Sequence, residues 1–322
     1  MKKNYSQKSK VLGDLIKAGI FKKKNTSVFS NRTRDRNVKV FKDNKTGVIF
    51  IPKYRSDINA HYKKKNEELF VLSHNNIKAD LKSKKINLDF ENIRSRGQEH
   101  GATGVDAIGL SDEKRRFNFL KNKIKNKTLL DFGCGTGNFL LLIKKNAKSV
   151  AGLEVRKQYI DLLSKNFKIY DDISVVDKKF DFITLFHVLE HIPNQIETLK
   201  NLKKFLKKNG KLIIEVPHAN DVLLNLKTFR DFTLWSEHLV LHTKLSLTKY
   251  LKVAGFKVDK LQFIQRYNFL NHFKWFTEGK PGGHETNQNF YNKDIVNYYN
   301  KFLIEKETTD TLFVEAKINS KR

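Results

Sequence analysis

Three glycines at alternate positions, Gly133, Gly135 and Gly137, follow the apolar run Leu129-Leu130-Asp131-Phe132. The apolar residues read as a buried strand. Glycine has no Cβ, so the chain can turn sharply there and its backbone can come close to a ligand. Phe139-Leu140-Leu141-Leu142-Ile143 then opens a helix. Strand, glycine turn and helix together make the first unit of a nucleotide-binding α/β sheet. Val150-Ala151-Gly152-Leu153-Glu154 is a second short apolar strand that ends in a carboxylate. An acid about 20 residues past the glycines is placed to accept hydrogen bonds from two ribose hydroxyls.

A second group of reactive side chains ends the apolar run Phe180 to Phe186: His187, Glu190 and His191. Written as H-x-x-E-H, they match an inverted zinc-protease signature. That signature needs both histidines on one face of a helix. Here the first His ends a strand and the motif straddles a strand-to-helix turn, at the carboxyl edge of the sheet where α/β enzymes bind substrate. A neutral imidazole suits a general base toward a hydroxyl, and both His187 and His191 qualify. For each, a structural histidine bonded to backbone is the alternative.

The elements that must position these groups follow in order. Ser111 is a candidate N-cap for a helix over Lys114 to Lys123. Lys157 to Asn166 is the helix after Glu154, and Lys168 to Asp172 a short strand. Asn194 and Glu197 have capping-box spacing, and Ile196, Leu199, Leu202 and Leu206 recur at helical intervals. Lys211 to Val216 is another buried strand. Ser246 to Ala254 reads as a helix closed by Gly255, Phe256 to Ile264 as a strand, Phe290 to Lys306 as a helix and Thr311 to Ile318 as the last strand.

Two polar, aromatic inserts interrupt the series, residues 217–243 and 266–289. The first carries Glu237, His238 and His242. The second carries Arg266, Tyr267, Asn271, His272, Trp275 and His284. Ring faces beside hydrogen-bond forks suit a sugar-like or nucleotide ligand. His238, Arg266, Tyr267, Asn271 and His284 are the candidate substrate contacts. Upstream, residues 1–36 read as a basic, loosely packed arm. Residues 37–110 read as a small accessory module, with a hairpin over Val38 to Ile51 turning at Asp43 to Gly47, helical stretches over 57–92 and a Gly-rich loop over 94–104.

The chain has 322 residues, a formal net charge of +29 and one cysteine, Cys134. One cysteine excludes an intrachain disulfide and fits a reducing compartment. Cys134 reads as a small residue packed in the glycine turn, with a nucleophile as the alternative. No apolar run reaches membrane-spanning length and no cleavable leader is evident, so a cytoplasmic location is expected. The charge could mark a nucleic-acid partner, but Lys far outnumbers Arg, and phosphate-reading surfaces use Arg forks as well. A compositional bias toward Lys, Asn and Ile explains it as well, so nucleic acid is not the favoured partner.

The ordered series from about residue 110 to the end resembles the class I S-adenosylmethionine-dependent methyltransferases. The Gly133-x-Gly135-x-Gly137 spacing fits that family better than the G-x-G-x-x-G of dinucleotide enzymes. The resemblance implies a Rossmann-like seven-stranded sheet with its last strand antiparallel, flanked by helices, over residues 111–322. It implies S-adenosyl-L-methionine as cofactor. Asp131, Gly133, Gly135 and Gly137 would cradle its amino-acid end, Glu154 would take the ribose hydroxyls, and Asp172, ahead of Asp171, would lie near the adenine. The catalytic candidates are His187, Glu190 and His191. Leu189-Glu190-His191 is similar to the stretch in ubiquinone-biosynthesis O-methyltransferases where acids and a His hold a divalent ion. This chain has His187 where those enzymes have an acid, so no metal is expected.

Gln265-Arg266-Tyr267, Pro281-Gly282-Gly283-His284 and the Val40 to Ile51 hairpin look like features of bacterial methyltransferases of surface-polysaccharide biosynthesis. That likeness implies a sugar, nucleotide-sugar or related small polar acceptor. An RNA or DNA methyltransferase, a ubiquinone-type O-methyltransferase and a non-enzymatic binding protein are the alternatives.

Overall fold

A computed structural model describes residues 9–54, 105–282 and 293–319. The stretches expected over 57–92 and 94–104, and the candidate His284, lie outside the described residues. In chain order the strands are β1 (Thr26–Ser30), β2 (Val40–Asp43), β3 (Ile49–Phe50), β4 (Thr128–Phe132), β5 (Ser149–Leu153), β6 (Lys168–Tyr170), β7 (Phe180–Phe186), β8 (Leu206–Pro217), β9 (Val240–Leu241), β10 (Phe256–Ile264) and β11 (Thr311–Ile318). Seven of them form a mixed sheet in the order β10-β11-β8-β7-β4-β5-β6. β11 runs antiparallel to both its neighbours, while β4, β5 and β6 are mutually parallel and β7 is parallel to β8. This is the Rossmann-like methyltransferase sheet that the resemblance implies. Its strand β7 and the stretch Leu212–Val216 of β8 are nearly continuous apolar runs because sheets of this kind are covered on both faces; Ile183, Leu185, Leu212, Ile213 and Ile214 are fully buried.

The chain divides into two compact units, one of residues 56–176 and one of residues 1–55 with 177–322. In the first, helix Val105–Leu120 precedes β4, helix Asn138–Ile143 joins β4 to β5, and helix Lys157–Leu163 joins β5 to β6. The first of these begins six residues earlier than Ser111 suggested, so Ser111 lies inside a helix rather than at its cap.

In the second unit the hairpin of β2 and β3 forms as the alternation predicts. It is the centre of a four-stranded sheet, β1-β2-β3-β9, in which β1 comes from the supposed arm and β9 from the insert after β8. The short strands cannot bury their apolar face alone. Val40, Ile49, Ile51, Leu223, Phe229 and Trp275 close one core beneath them. Residues 10–17, expected to be loose, are a helix with Val11 and Leu15 buried.

That helix also corrects the capping expected at Asn194. The Asn194 side chain makes no cap bond to helix Gln195–Lys204. Instead Asp14 Oδ2 accepts from the Ile196 N–H at 3.0 Å. A carboxylate serves better there, since it meets both an orphan N–H and the positive end of the helix. In helix Lys244–Ala254, by contrast, capping is local. Thr243 and Ser246 exchange bonds across the first turn, and Gly255 closes the helix at φ +88°.

Candidate active site

The glycine turn belongs to the unit of residues 56–176. Gly133, Gly135 and Gly137 all have positive φ, +77°, +52° and +77°, a region that other residues enter only with strain. The Gly133 and Cys134 N–H groups both donate to the Leu153 carbonyl, at 2.8 and 3.1 Å, which ties the turn to the end of β5. Glycine is needed at 137 for packing as well, since a Cβ would stand 2.5 Å from Leu163 Cδ2. At Gly135 the same direction is open, with nothing within 4 Å.

Glu154, the residue after β5, is 3% exposed. Its Oε2 accepts from the Gly135 N–H at 2.9 Å, and its Oε1 accepts from Val155 and Arg156 N–H at 2.9 and 3.0 Å. Each carboxylate oxygen has two acceptor positions, so Oε1 is filled by these two N–H groups and one position on Oε2 remains for a ligand hydroxyl. Open space at Gly135 beside a fixed, buried carboxylate fits a ribosyl amino-acid ligand. Asp131 is buried at the end of β4. Asp172 is exposed, and its Oδ1 accepts from the Ser174 N–H and hydroxyl at 2.8 and 2.7 Å. Cys134 is buried, and burial, with Asp131 and Glu154 nearby, pushes its thiol far up. It is a packed residue, not a nucleophile.

The second cluster belongs to the other unit. β7 ends at Phe186, and His187 turns the chain at φ +54°. Its N–H donates to the Glu215 carbonyl at 2.8 Å. The imidazole lies between two carboxylates, Nδ1 3.3 Å from Glu190 Oε1 and Nε2 3.2 Å from Glu215 Oε1. Both acids are buried, at 1% and 0% exposure. Burial and the Arg266 charge press the His187 pKa down, but the two carboxylates outweigh them and raise it. Burial likewise works to raise Glu190, yet His187 and the charges of the surrounding imidazoles bring it down to about 2.

His191 sits in the 3-10 turn Leu189–His191. Its Nδ1 lies 3.2 Å from the Glu237 carbonyl. A carbonyl only accepts, so Nδ1 carries the hydrogen and Nε2 keeps its lone pair. Burial lowers its pKa. His238 packs edge-on against it at 4.8 Å between ring centres, and burial brings His238 down to about 4. Glu190, His191 and His238 offer three donor atoms within 4.8 Å of one another, a set of a kind that could hold a divalent cation.

Of the insert residues, the structure brings His238 and Arg266 to this cluster. Arg266 and Tyr267 are placed by a residue that sequence reasoning missed. Asp310, just before β11, accepts on Oδ2 from both their N–H groups, at 2.9 and 3.1 Å, and from Gln265 Nε2 at 2.8 Å. Asn271 is buried in helix Phe269–Glu278. His242 is fully buried between Gln195 and Ser246, His272 is tied to Gln265 and Tyr299, and Trp275 belongs to the core. Those three serve the fold. Glu215 was also missed, although one signal was available: a lone carboxylate in the apolar run Ile213-Ile214-Glu215-Val216.

Residues 109–261 match the family model described as a methyltransferase domain. That stretch is similar to a methyltransferase domain. The chain is similar to an uncharacterised protein of Methanocaldococcus jannaschii, 31% identical over 43% of this chain and 60% of that one. It is also similar to a ubiquinone biosynthesis O-methyltransferase of Coxiella burnetii, 29% identical over 33% of this chain and 50% of that one. The match thus spans between half and three-fifths of those relatives' length. Among solved structures, a SAM-dependent methyltransferase from Archaeoglobus fulgidus aligns with a TM-score of 0.45 at 22% identity, covering 63% of this chain and 92% of that one. Among the described residues, no helix is long and apolar enough to cross a membrane.

Proposed function

We propose that the chain moves a methyl group from S-adenosylmethionine to a hydroxyl of a sugar or related small polar acceptor. The observation that carries the reading is His191, an imidazole whose Nδ1 faces a carbonyl, which puts its basic lone pair on Nε2. The glycine turn and Glu154 hold the cofactor by its amino-acid end and ribose, with Asp131 beside them and Asp172 near the adenine. When bound, the cofactor supplies a methyl group on a positively charged sulfur.

His191 takes the acceptor proton as the new O–C bond forms and the S–C bond breaks, leaving S-adenosylhomocysteine and a protonated imidazole. The low pKa that burial imposes keeps His191 neutral, and so able to accept, near pH 7. His187, raised by its two carboxylates, is unsuited to that step and instead holds Glu190 and Glu215 in place. Arg266 and Tyr267, fixed through Asp310, and His238 supply the forks and ring faces that position a polyhydroxylated ligand.

The test is transfer of labelled methyl from S-adenosylmethionine into a panel of free sugars, nucleotide-sugars, quinol-type phenols and RNA. Label in a sugar or nucleotide-sugar supports the reading. Label confined to RNA or to the phenols overturns it.

A further inference from the structure

A pocket of about 430 Å³ lies at the C-terminal ends of helices Gln195–Lys204 and Lys244–Ala254. Lys200, Lys203, Lys204 and Lys252 line it, together with Ala254 and Gly255, and no acidic side chain does. Elsewhere in this unit lysines meet acids, as Lys207 meets Asp181 at 2.7 Å and Lys244 meets Glu307 at 2.6 Å. Among the described residues the four pocket lysines form no such pair; Lys204 donates to the neutral Asn201 amide oxygen at 2.9 Å. Gly255, which ends its helix, also lines this pocket. Its Cα faces Lys203, and a Cβ there would stand 2.8 Å from Lys203 Nζ.

Two helix C-termini account for part of this charge. Each carries roughly half a negative charge, so the two together call for about one cation. Four ammonium groups leave an excess of about three. Lys200 and Lys204 also stand four residues apart on one helix, where like charges repel. The arrangement therefore holds repulsion that a compact, multiply charged anion would relieve. The volume lies in the range of small-ligand sites. The pocket adjoins the start of β8 and β10, whereas Glu215 and Gln265 lie at their other ends, so it is separate from the imidazole–carboxylate cluster.

We propose that this pocket binds a ligand through two or more phosphate groups. A diphosphate concentrates several negative charges in a small volume, which a single carboxylate does not. The diphosphate of a free nucleotide and the backbone of a nucleic acid present the same chemistry, and the experiment separates them.

Inorganic pyrophosphate is titrated into the full chain by calorimetry. Saturable one-site binding is expected. Lys203→Gln with Lys252→Gln should weaken it at least ~10-fold, through the loss of two charge-assisted bonds. Lys227→Gln with Lys301→Gln, on exposed lysines already paired with Asp231 and Glu305, should leave it unchanged. Affinity for S-adenosylhomocysteine should be the same in all three proteins, which separates this site from the cofactor site. Uridine diphosphate binding more tightly than pyrophosphate assigns the free nucleotide. Displacement of pyrophosphate by single-stranded RNA, with no advantage for uridine diphosphate, assigns the backbone. Absence of pyrophosphate binding, or equal weakening by the two pairs of substitutions, overturns the proposal and leaves the lysines as partners of the helix ends.

Discussion

In the glycine turn the decisive hydrogen bond joins residues 19 apart, Gly135 and Glu154. In the cluster after β7 the bond that sets the His191 tautomer joins residues 46 apart, and the bonds that place Arg266 and Tyr267 reach 44 and 43 residues to Asp310. The turn is made by backbone conformation, which glycine permits and one strand–turn–helix unit completes. The cluster is made by charge brought out of water. Glu190 holds its charge because imidazoles lie against it, and His191 and His238 stay neutral because burial keeps them so. A site of the first kind is robust to distant changes. A site of the second kind depends on every element that packs around it.

The largest effect expected from breaking this contrast is in the cluster. His191→Ala should lower turnover by roughly 10²–10⁴ if its Nε2 is the proton acceptor, with affinity for S-adenosylhomocysteine held. A rate within threefold of the parent would remove His191 from that role.

Next is stability. Glu190→Ala leaves His187 without one of its two carboxylates, and breaking a buried pair of this kind costs about 3–5 kcal/mol. Chemical denaturation measures it. The pH profile sharpens the same point. Glu190 is lowered to about 2, so its contribution is present above its unfolded value and is lost as pH falls from there toward 2. His187 is raised, so its contribution is complete below its unfolded value and fades as pH rises through the folded one. The variant should lose the acid arm of the profile, and an unchanged profile would show that the pair does not govern it.

In the turn the expected losses are smaller, and they fall on cofactor affinity and on the Gly135, Val155 and Arg156 N–H groups that Glu154 accepts from. Glu154→Ala should weaken S-adenosylhomocysteine by about 1.5–3 kcal/mol, the worth of hydrogen bonds to a charged acceptor, while the melting transition stays two-state. Unchanged affinity by calorimetry would move the ribose contact elsewhere. The smallest effect lies outside both sites. Asp14→Ala removes the cap on the helix Gln195–Lys204 and should cost about 1 kcal/mol of stability, whereas Asn194→Ala, whose side chain makes no cap bond, should cost less. Equal losses would return the capping role to Asn194.

The succession of strands along the chain, the glycine turn and Glu154 at the end of its strand were legible because each is written in neighbouring residues. Alternate glycines before a helix, and apolar runs of strand length ending in a carboxylate, keep their meaning wherever the rest of the chain goes. His187, Glu190 and His191 were legible as a reactive group for the same reason, but not their division of labour. Which imidazole is raised and which stays neutral depends on Glu215 from β8 and on the Glu237 carbonyl, and neither is adjacent in sequence.

The amino-acid sequence by itself determined the strands, the glycine turn and the grouping of His187, Glu190 and His191 after an apolar strand, because local backbone preference and burial of apolar runs act over a few residues. Tertiary structure alone decided that His242, His272 and Trp275 serve the core, that Asp310 holds the Arg266 turn and that Asp14 caps a helix far along the chain. Those outcomes turn on which polar groups are desolvated together. A side chain's partner in a low-dielectric interior is fixed by packing, and packing is not written in the spacing of any one segment.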